Sequence, residues 1–344
     1  MMQMARNKMF ATYLIVLLIF SMFPVSYAQI VYGDGQTDKP TQRLDRVSVQ
    51  SCNCVAFRLD DIQGYWLNNA QIAVMEEFQS RDIPLTIGII GGDSFQFGID
   101  PKITGHVRDA LSENSKIKIA NHGLNHENFT THDQKMQSDL LKKSNGRLSE
   151  ILGITPKTFI PPFNEFDDNT VLALGENGFT HFSPSLITGS PPYLLNNSSL
   201  YSFPKTATTG EIVESGLFEG VNPERTFDDI QTGLDNFGFA VVTMHPQEFS
   251  VIENGTYANL VNDRQIDELV LLIKKIQDSG LKIVFLENID KNAQLYDVLI
   301  PEWFEKNLQW RNEEKITHAE LSDAVNYLKR QGIVKLGTVD NAES

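Results

Sequence analysis

Val55-Ala56-Phe57-Arg58-Leu59-Asp60-Asp61 is a mostly apolar run of strand length that ends on two adjacent carboxylates. The same pattern recurs along the chain. Residues 117–120 run into Asn121-His122, with His126 four positions on. Residues 158–160 run into Pro161-Pro162-Phe163, and residues 239–244 run into His245. Each run reads as a buried strand. Between and around them, residues 69–79, 103–112, 133–152, 168–176 and 264–278 carry helical patterns, and 85–90 and 281–286 read as further strands. Strands alternating with helices imply β/α units around a parallel sheet. In such folds the residues just beyond the C-terminal strand ends gather on one face, where the chemistry is done.

That convergence gives the polar residues their meaning. An acid pair, a His-x-x-x-His or a lone histidine each also suits a helix cap or a structural hydrogen bond. Brought to one face, they form a metal-hydrolase set. Successive side chains of an extended strand point in opposite directions, so Asp60 and Asp61 are expected to reach different partners. If 122–126 is helical, His122 and His126 share a face and bind one ion together. Two histidines and a carboxylate leave positions open on a cation such as Zn²⁺, which acidifies water. His245, after a strongly apolar strand and before Pro246, is placed to act as a general acid. His181 and His318 read as structural. No Gly-x-Ser-x-Gly elbow, Walker loop or Gly-x-Gly-x-x-Gly fingerprint occurs.

The order of these motifs resembles the polysaccharide deacetylase family, the NodB-homology domain of carbohydrate esterase family 4. The likeness runs over residues 55–290. It implies an α/β fold, a distorted (β/α)7 barrel. It also implies Asp60 as catalytic base, Asp61, His122 and His126 as ligands of a divalent metal such as Zn²⁺, and His245 as general acid. Pro162 and Phe163 fall in the family's third motif and would support substrate or oxyanion. The implied reaction removes acetyl groups from an N- or O-acetylated polysaccharide. Two departures stand out: Ile160 occupies the place of an arginine that contacts the catalytic Asp, and Ile62 that of a glycine. No counterpart of the family's Asp-Trp motif is evident. Arg58, two residues before Asp60 and on the same side of the strand, is expected to supply the missing charge. The alternatives are hydrolysis of a non-sugar amide on the same centre, and a glycan-binding pseudoenzyme, which Ile160 favours.

The start of the chain reads as an export signal. Arg6 and Lys8 precede an almost purely apolar stretch at residues 10–20, and Ser26-Tyr27-Ala28 suits signal-peptide cleavage. Four sequons, at Asn128, Asn196, Asn197 and Asn254, agree with a secreted, extracytoplasmic address. The net charge of -15 argues against nucleic acid, and no later segment suggests a membrane span. The cysteines, Cys52 and Cys54, read equally as a tight local disulfide and as two uninvolved thiols.

The expected organisation is a signal peptide (1–28), a flexible entry segment (29–50), the catalytic domain (51–290) and a small helical module (297–338). Residues 183–219 interrupt the barrel rhythm as long loops with one or two strands, among them a β-like segment around Tyr201, and are expected to line a cleft. In the module, Pro301 opens one helix, and Thr317 with Glu320 caps a second. This stretch resembles a module of exported archaeal proteins, which suggests a cell-surface partner.

Overall fold

The computed structural model describes residues 44–111, 115–186, 200–292, 294–301 and part of 303–337. The expected signal peptide lies outside the described residues. Strand β1 (Leu44–Ser51) leads into the first barrel strand, β2 (Cys54–Ile62). Helix α1 (Asn68–Ser80), β3 (Leu85–Ile89), α2 (Pro101–Ala110), β4 (Ile117–Asn121) and α3 (Gln134–Leu152) follow. Next come β5 (Thr158–Phe159), α4 (Asp168–Glu176), β6 (His181–Phe182), β7 (Tyr201–Ser202) and β8 (Ala207–Thr208). A small hairpin, β9 (Gly210–Ile212) with β10 (Phe218–Gly220), precedes α5 (Pro223–Phe237) and β11 (Phe239–Met244). The chain continues through the hairpin β12 (Ser250–Glu253) and β13 (Thr256–Val261), α6 (Asp263–Asp278), β14 (Lys282–Val284), α7 (Ile289–Asn292), β15 (Gln294–Pro301) and β16 (Leu336–Gly337).

The main sheet runs β7-β6-β5-β4-β3-β2-β11-β8, with β14 beside the first half of β2, and the strand pairs are parallel. Its two edges, β7 and β8, are consecutive in the chain. Phe203 N donates to Phe182 O at 2.8 Å on one side, and Thr206 N donates to Val241 O at 2.9 Å on the other. The curled sheet is thus closed by covalent chain across residues 203–206, which is the distortion of this (β/α)7 barrel.

Alternation along β2 sets what the barrel contains. Val55, Phe57 and Leu59 join the larger core with Val74 and Phe78 of α1, and Leu269 and Ile273 of α6. Cys54 and Ala56 instead meet Phe203, Phe239, Val241 and Leu286 in a separate cluster. Fully burying an aromatic such as Phe57 contributes about 1.5–3 kcal/mol. Cys54, Ala56 and Arg58 stand opposite Phe239, Val241 and Thr243 of β11, so apolar layers give way to a polar one toward the C-terminal end.

Helix starts are written locally. Asp100, Asp133 and Asp167 accept the first free backbone N–H groups of α2, α3 and α4.

Several expectations need correction. Residues 44–51 form no flexible entry but pair antiparallel with β15, so the segments flanking the barrel bind each other. The described part of residues 183–219 carries the expected strand at Tyr201, β7, but more strand than the one or two expected: β8, β9 and the start of β10 follow it. Helix α5 and the β12–β13 hairpin were not anticipated. Of the two readings left open for the cysteines, the local one holds: Cys52 and Cys54 are bonded to each other. In the C-terminal module, Thr317 N donates to Glu320 Oε2 at 2.8 Å and Glu320 N to Thr317 Oγ1 at 3.2 Å, the expected capping box. Trp303 and Tyr327 lie with ring centroids 6.4 Å apart. No helix of the described residues is long and apolar enough to cross a membrane.

Candidate metal centre

The two acids after Leu59 occupy a bulge. Leu59 pairs with Ile87 and Ile62 with Ile89, so Asp60 and Asp61 together oppose the single residue Gly88. Asp61 takes a left-handed φ of 62°. The extra residue re-aims the chain, and both carboxylates line one cavity instead of pointing to opposite faces. Gly88 fits this arrangement: a Cβ there would lie 3.3 Å from Ile160 Cδ1 and 3.5 Å from both Asp60 Oδ1 and His122 Cβ.

His122 and His126 are not on a helix. They sit on an irregular loop after β4, held by a Gly123 N to Asn121 Oδ1 bond of 2.8 Å and a Leu124 N to Glu127 Oε2 bond of 3.1 Å. The loop lies so close to Gly92 that a Cβ there would meet Leu124 O at 2.1 Å. Gly92 therefore makes room for the histidine loop, while Gly91 makes room for Ser144 of α3. His122 and His126 nonetheless converge, with Nε2 of each 3.1 Å from Asp61 Oδ1.

The donor atoms of Asp61, His122 and His126 all lie within 4.8 Å of one another, the one such trio among the described residues. His122 Nδ1 lies 2.8 Å from Ile160 O, which can only accept, so Nδ1 carries the hydrogen. In a neutral ring, Nε2 then turns its lone pair on a carboxylate oxygen at hydrogen-bond distance. Either a proton or a cation must sit between them. Atoms bound to one Zn²⁺ at about 2.0–2.2 Å stand roughly 3 Å apart, and the Asp61–histidine spacings match. Burial pushes the Asp61 carboxyl up, but interactions with His122 and His126 and the charge of His245 outweigh it and hold the group well below the usual carboxylate range. Gln247 Nε2 donates to Asp61 Oδ2 at 3.3 Å.

Asp60 is nearly fully buried and has a different partner. Its Oδ2 lies 3.2 Å from Arg58 Nη2, while its Oδ1 is buried with no hydrogen bond. Arg58 is the charge that Ile160 does not provide. Its Nε donates to Thr243 Oγ1 and its Nη1 to Ser183 Oγ, each at 2.9 Å, and the guanidinium also bonds Ser183 O and Asn164 Oδ1.

His245 follows β11 as expected. Its Nδ1 lies 3.2 Å from Oε1 of Glu248, whose side chain is fully buried and whose Oε2 accepts from Thr209 Oγ1 at 2.6 Å. Burial lowers the imidazole pKa, but the Glu248 hydrogen bond and the charges of Asp61, Glu248 and Asp60 outweigh it and leave His245 raised. Pro162 packs beside Gly123. Phe163, 58 % exposed and at a φ of 59°, lies edge-on to His126 with centroids 4.6 Å apart.

Together these groups line a cavity of about 590 Å³ at the C-terminal strand ends, with Lys205, Ile212 and Phe218 in the remaining wall. Positive φ at Asp61, His126, Phe163 and Asn164 concentrates backbone strain at its rim. Every site residue expected from sequence is brought to this region. Glu248, Gln247 and Lys205 were missed; Glu248 could have been found as the third residue after His245, the spacing of a capping box.

Residues 49–182 match the polysaccharide deacetylase family model. The match takes in Asp60, Asp61, His122, His126 and residues 160–163, and ends before His245. No curated protein sequence matches the chain. Among solved structures, a CE4 family pseudoenzyme from Bacillus anthracis is 16% identical, with a TM-score of 0.46 over 69% of this chain and 65% of that one. A peptidoglycan N-acetylglucosamine deacetylase is 15% identical, with a TM-score of 0.47 over 70% and 88%. A family 4 acetyl xylan esterase from Clostridium thermocellum, solved with a cobalt ion, is 16% identical, with a TM-score of 0.43 over 69% and 89%.

Proposed function

We propose that this chain is an exported, metal-dependent hydrolase that removes acetyl groups from an N- or O-acetylated polysaccharide. The observation that carries the reading is the meeting, in one cavity, of an Asp–His–His donor set, a second carboxylate with an unengaged oxygen, and a histidine held by a buried glutamate.

Asp61, His122 and His126 would hold the cation, and Ile160 O fixes His122 in the tautomer that a ligand requires. A divalent cation such as Zn²⁺ supplies a Lewis acid there, polarising an acyl carbonyl and acidifying water. Asp60 takes the proton of the attacking water on Oδ1, while Arg58 pins Oδ2. His245 donates a proton from Nε2 to the departing amine or alkoxide, its Nδ1 being turned to Glu248. The Phe163 N–H has no acceptor among the described hydrogen bonds and is available to an oxyanion. Ile160 favours a non-catalytic reading, but Arg58 beside Asp60 offsets that ground.

The test is acetate release from a panel of acetylated glycans by the chelator-treated protein, before and after reloading with Zn²⁺. Release that depends on the metal is expected. No release from any glycan by the reloaded protein overturns the proposal.

The His245–Glu248 pair also sets the pH profile. His245 must be protonated to donate, so kcat/KM falls as pH rises through its raised pKa. In Glu248→Gln the lowering effect of burial is no longer opposed by that carboxylate. The alkaline limb should move to lower pH, with kcat down about tenfold near neutrality. An unmoved limb would remove Glu248 from this role.

A further inference from the structure

The cavity contains a cation that the chemistry above leaves unused. Lys205 lies on the seam between β7 and β8, anchored by its backbone N–H on Pro184 O at 2.8 Å, and its side chain lines the cavity with Asp60, Asp61 and His245. Each carboxylate of the cavity wall already has a partner other than Lys205, although Asp60 is engaged through Oδ2 alone. Asp60 pairs with Arg58, Asp61 meets His122 and His126, and Glu211 receives two 2.9 Å bonds from Arg225. Nearby Glu248 is taken by His245 and Thr209. Among the described residues no acid lies within ion-pair distance of the Lys205 ammonium, and no side-chain hydrogen bond is formed by it.

A half-buried ammonium that forms no ion pair is costly to keep. Burial, and then the like charge of Arg58, push Lys205 below the ordinary lysine range, while Asp60 and Glu248 oppose this. An anion entering the cavity would relieve the cost. The surroundings suit a sugar: Phe163, Ile212 and Phe218 present apolar surface in the same wall. The placement is also selective, because a chain of net charge -15 repels anionic polymers generally. Recognition of a negative group therefore depends on a local cation.

We propose that Lys205 is a specificity residue that binds an anionic substituent of the glycan, so that the preferred substrate is an acetylated sugar bearing, or adjoining, a negatively charged group. This rests on the deacetylase reading and narrows its substrate class. A uronate carboxylate and a sulfate ester both supply the required anion, so the test includes each beside a neutral control.

Three matched acetylated oligosaccharides, neutral, uronate-containing and sulfated, are assayed with the Zn²⁺-loaded wild type and with Lys205→Met and Lys205→Arg. The wild type should favour at least one anionic member by about tenfold or more in kcat/KM, a salt-sensitive preference. In Lys205→Met the anionic-to-neutral ratio should fall at least about tenfold, chiefly through KM, and Lys205→Arg should retain most of it. An unchanged ratio in Lys205→Met, or no preference in the wild type, overturns the inference while leaving the deacetylase reading intact.

A second readout does not need turnover. Binding of the non-acetylated uronate and sulfated oligosaccharides is followed by calorimetry. Weaker binding of either to Lys205→Met, with no acetate released by any protein, would support the anion site and sink the deacetylase reading. Equal binding of both by wild type and variant overturns the site whatever the activity.

Discussion

Asp60→Asn should lower kcat for acetate release by about 10²- to 10⁴-fold while Zn²⁺ binding, followed by calorimetry, stays close to wild type. His122→Ala should lose both. The contrast follows from the bulge that sets Asp60 and Asp61 together against Gly88. Asp61 is committed to the two histidines, with Oδ1 at 3.1 Å from each, whereas Asp60 turns to Arg58 and keeps Oδ1 unengaged. An amide in place of Asp60 fits the same space and still accepts from Arg58, but it has no basic oxygen with which to take a proton. The division of labour fails if Asp60→Asn remains active, or if it loses the metal as completely as His122→Ala does.

The barrel and its catalytic set were legible because both follow from one pattern. Where an apolar run meets Asp60-Asp61, His122, Pro162 or His245, the change of composition marks the strand end, and parallel strand ends share a face. What escaped depends on turn geometry or on segments without a long period. The bulge at Asp60 carries no local signal, since it is defined by the partner strand. The histidine spacing suggested a helix, yet Gly123 at a φ of 82° and His126 at 58° break one. Helix α5 has local signals only at its two ends, Asn222 as cap, Pro223 in the first turn and Gly238 as a left-handed stop. Asn254-Gly255 belongs to a sequon and to a turn at once. With φ of 51° and 76° it is the turn of the β12–β13 hairpin, for which that dipeptide is the strongest short-range signal. Lys205 sits in the irregular link between β7 and β8, whose placement depends on how the barrel closes.

Arg58→Met should cost about 3–5 kcal/mol of stability and, in protein that is still folded, at least about a hundredfold in kcat/KM. The stability loss reflects the links made by this fully buried guanidinium, which joins β2 to Thr243 on β11, to Ser183 after β6 and to Asn164 after Phe163. The activity loss has a separate cause. Without Arg58 the buried Asp60 carboxylate loses the group that pins Oδ2, so Oδ1 is no longer held in place to take the proton of the attacking water. Arg58→Lys should not rescue the variant, because one ammonium cannot reproduce a planar fork that reaches Thr243, Ser183, Asn164 and Asp60 together. Ile160→Arg in the Arg58→Met background should recover about tenfold or more. Ile160 Cδ1 and Asp60 Oδ1 both approach the space above Gly88, at 3.3 and 3.5 Å from a Cβ built there, so a guanidinium entering from residue 160 reaches the same carboxylate. Recovery would mean that the site requires the charge and tolerates either strand as its source. A folded Arg58→Met protein with wild-type kcat/KM would show that Asp60 works without it.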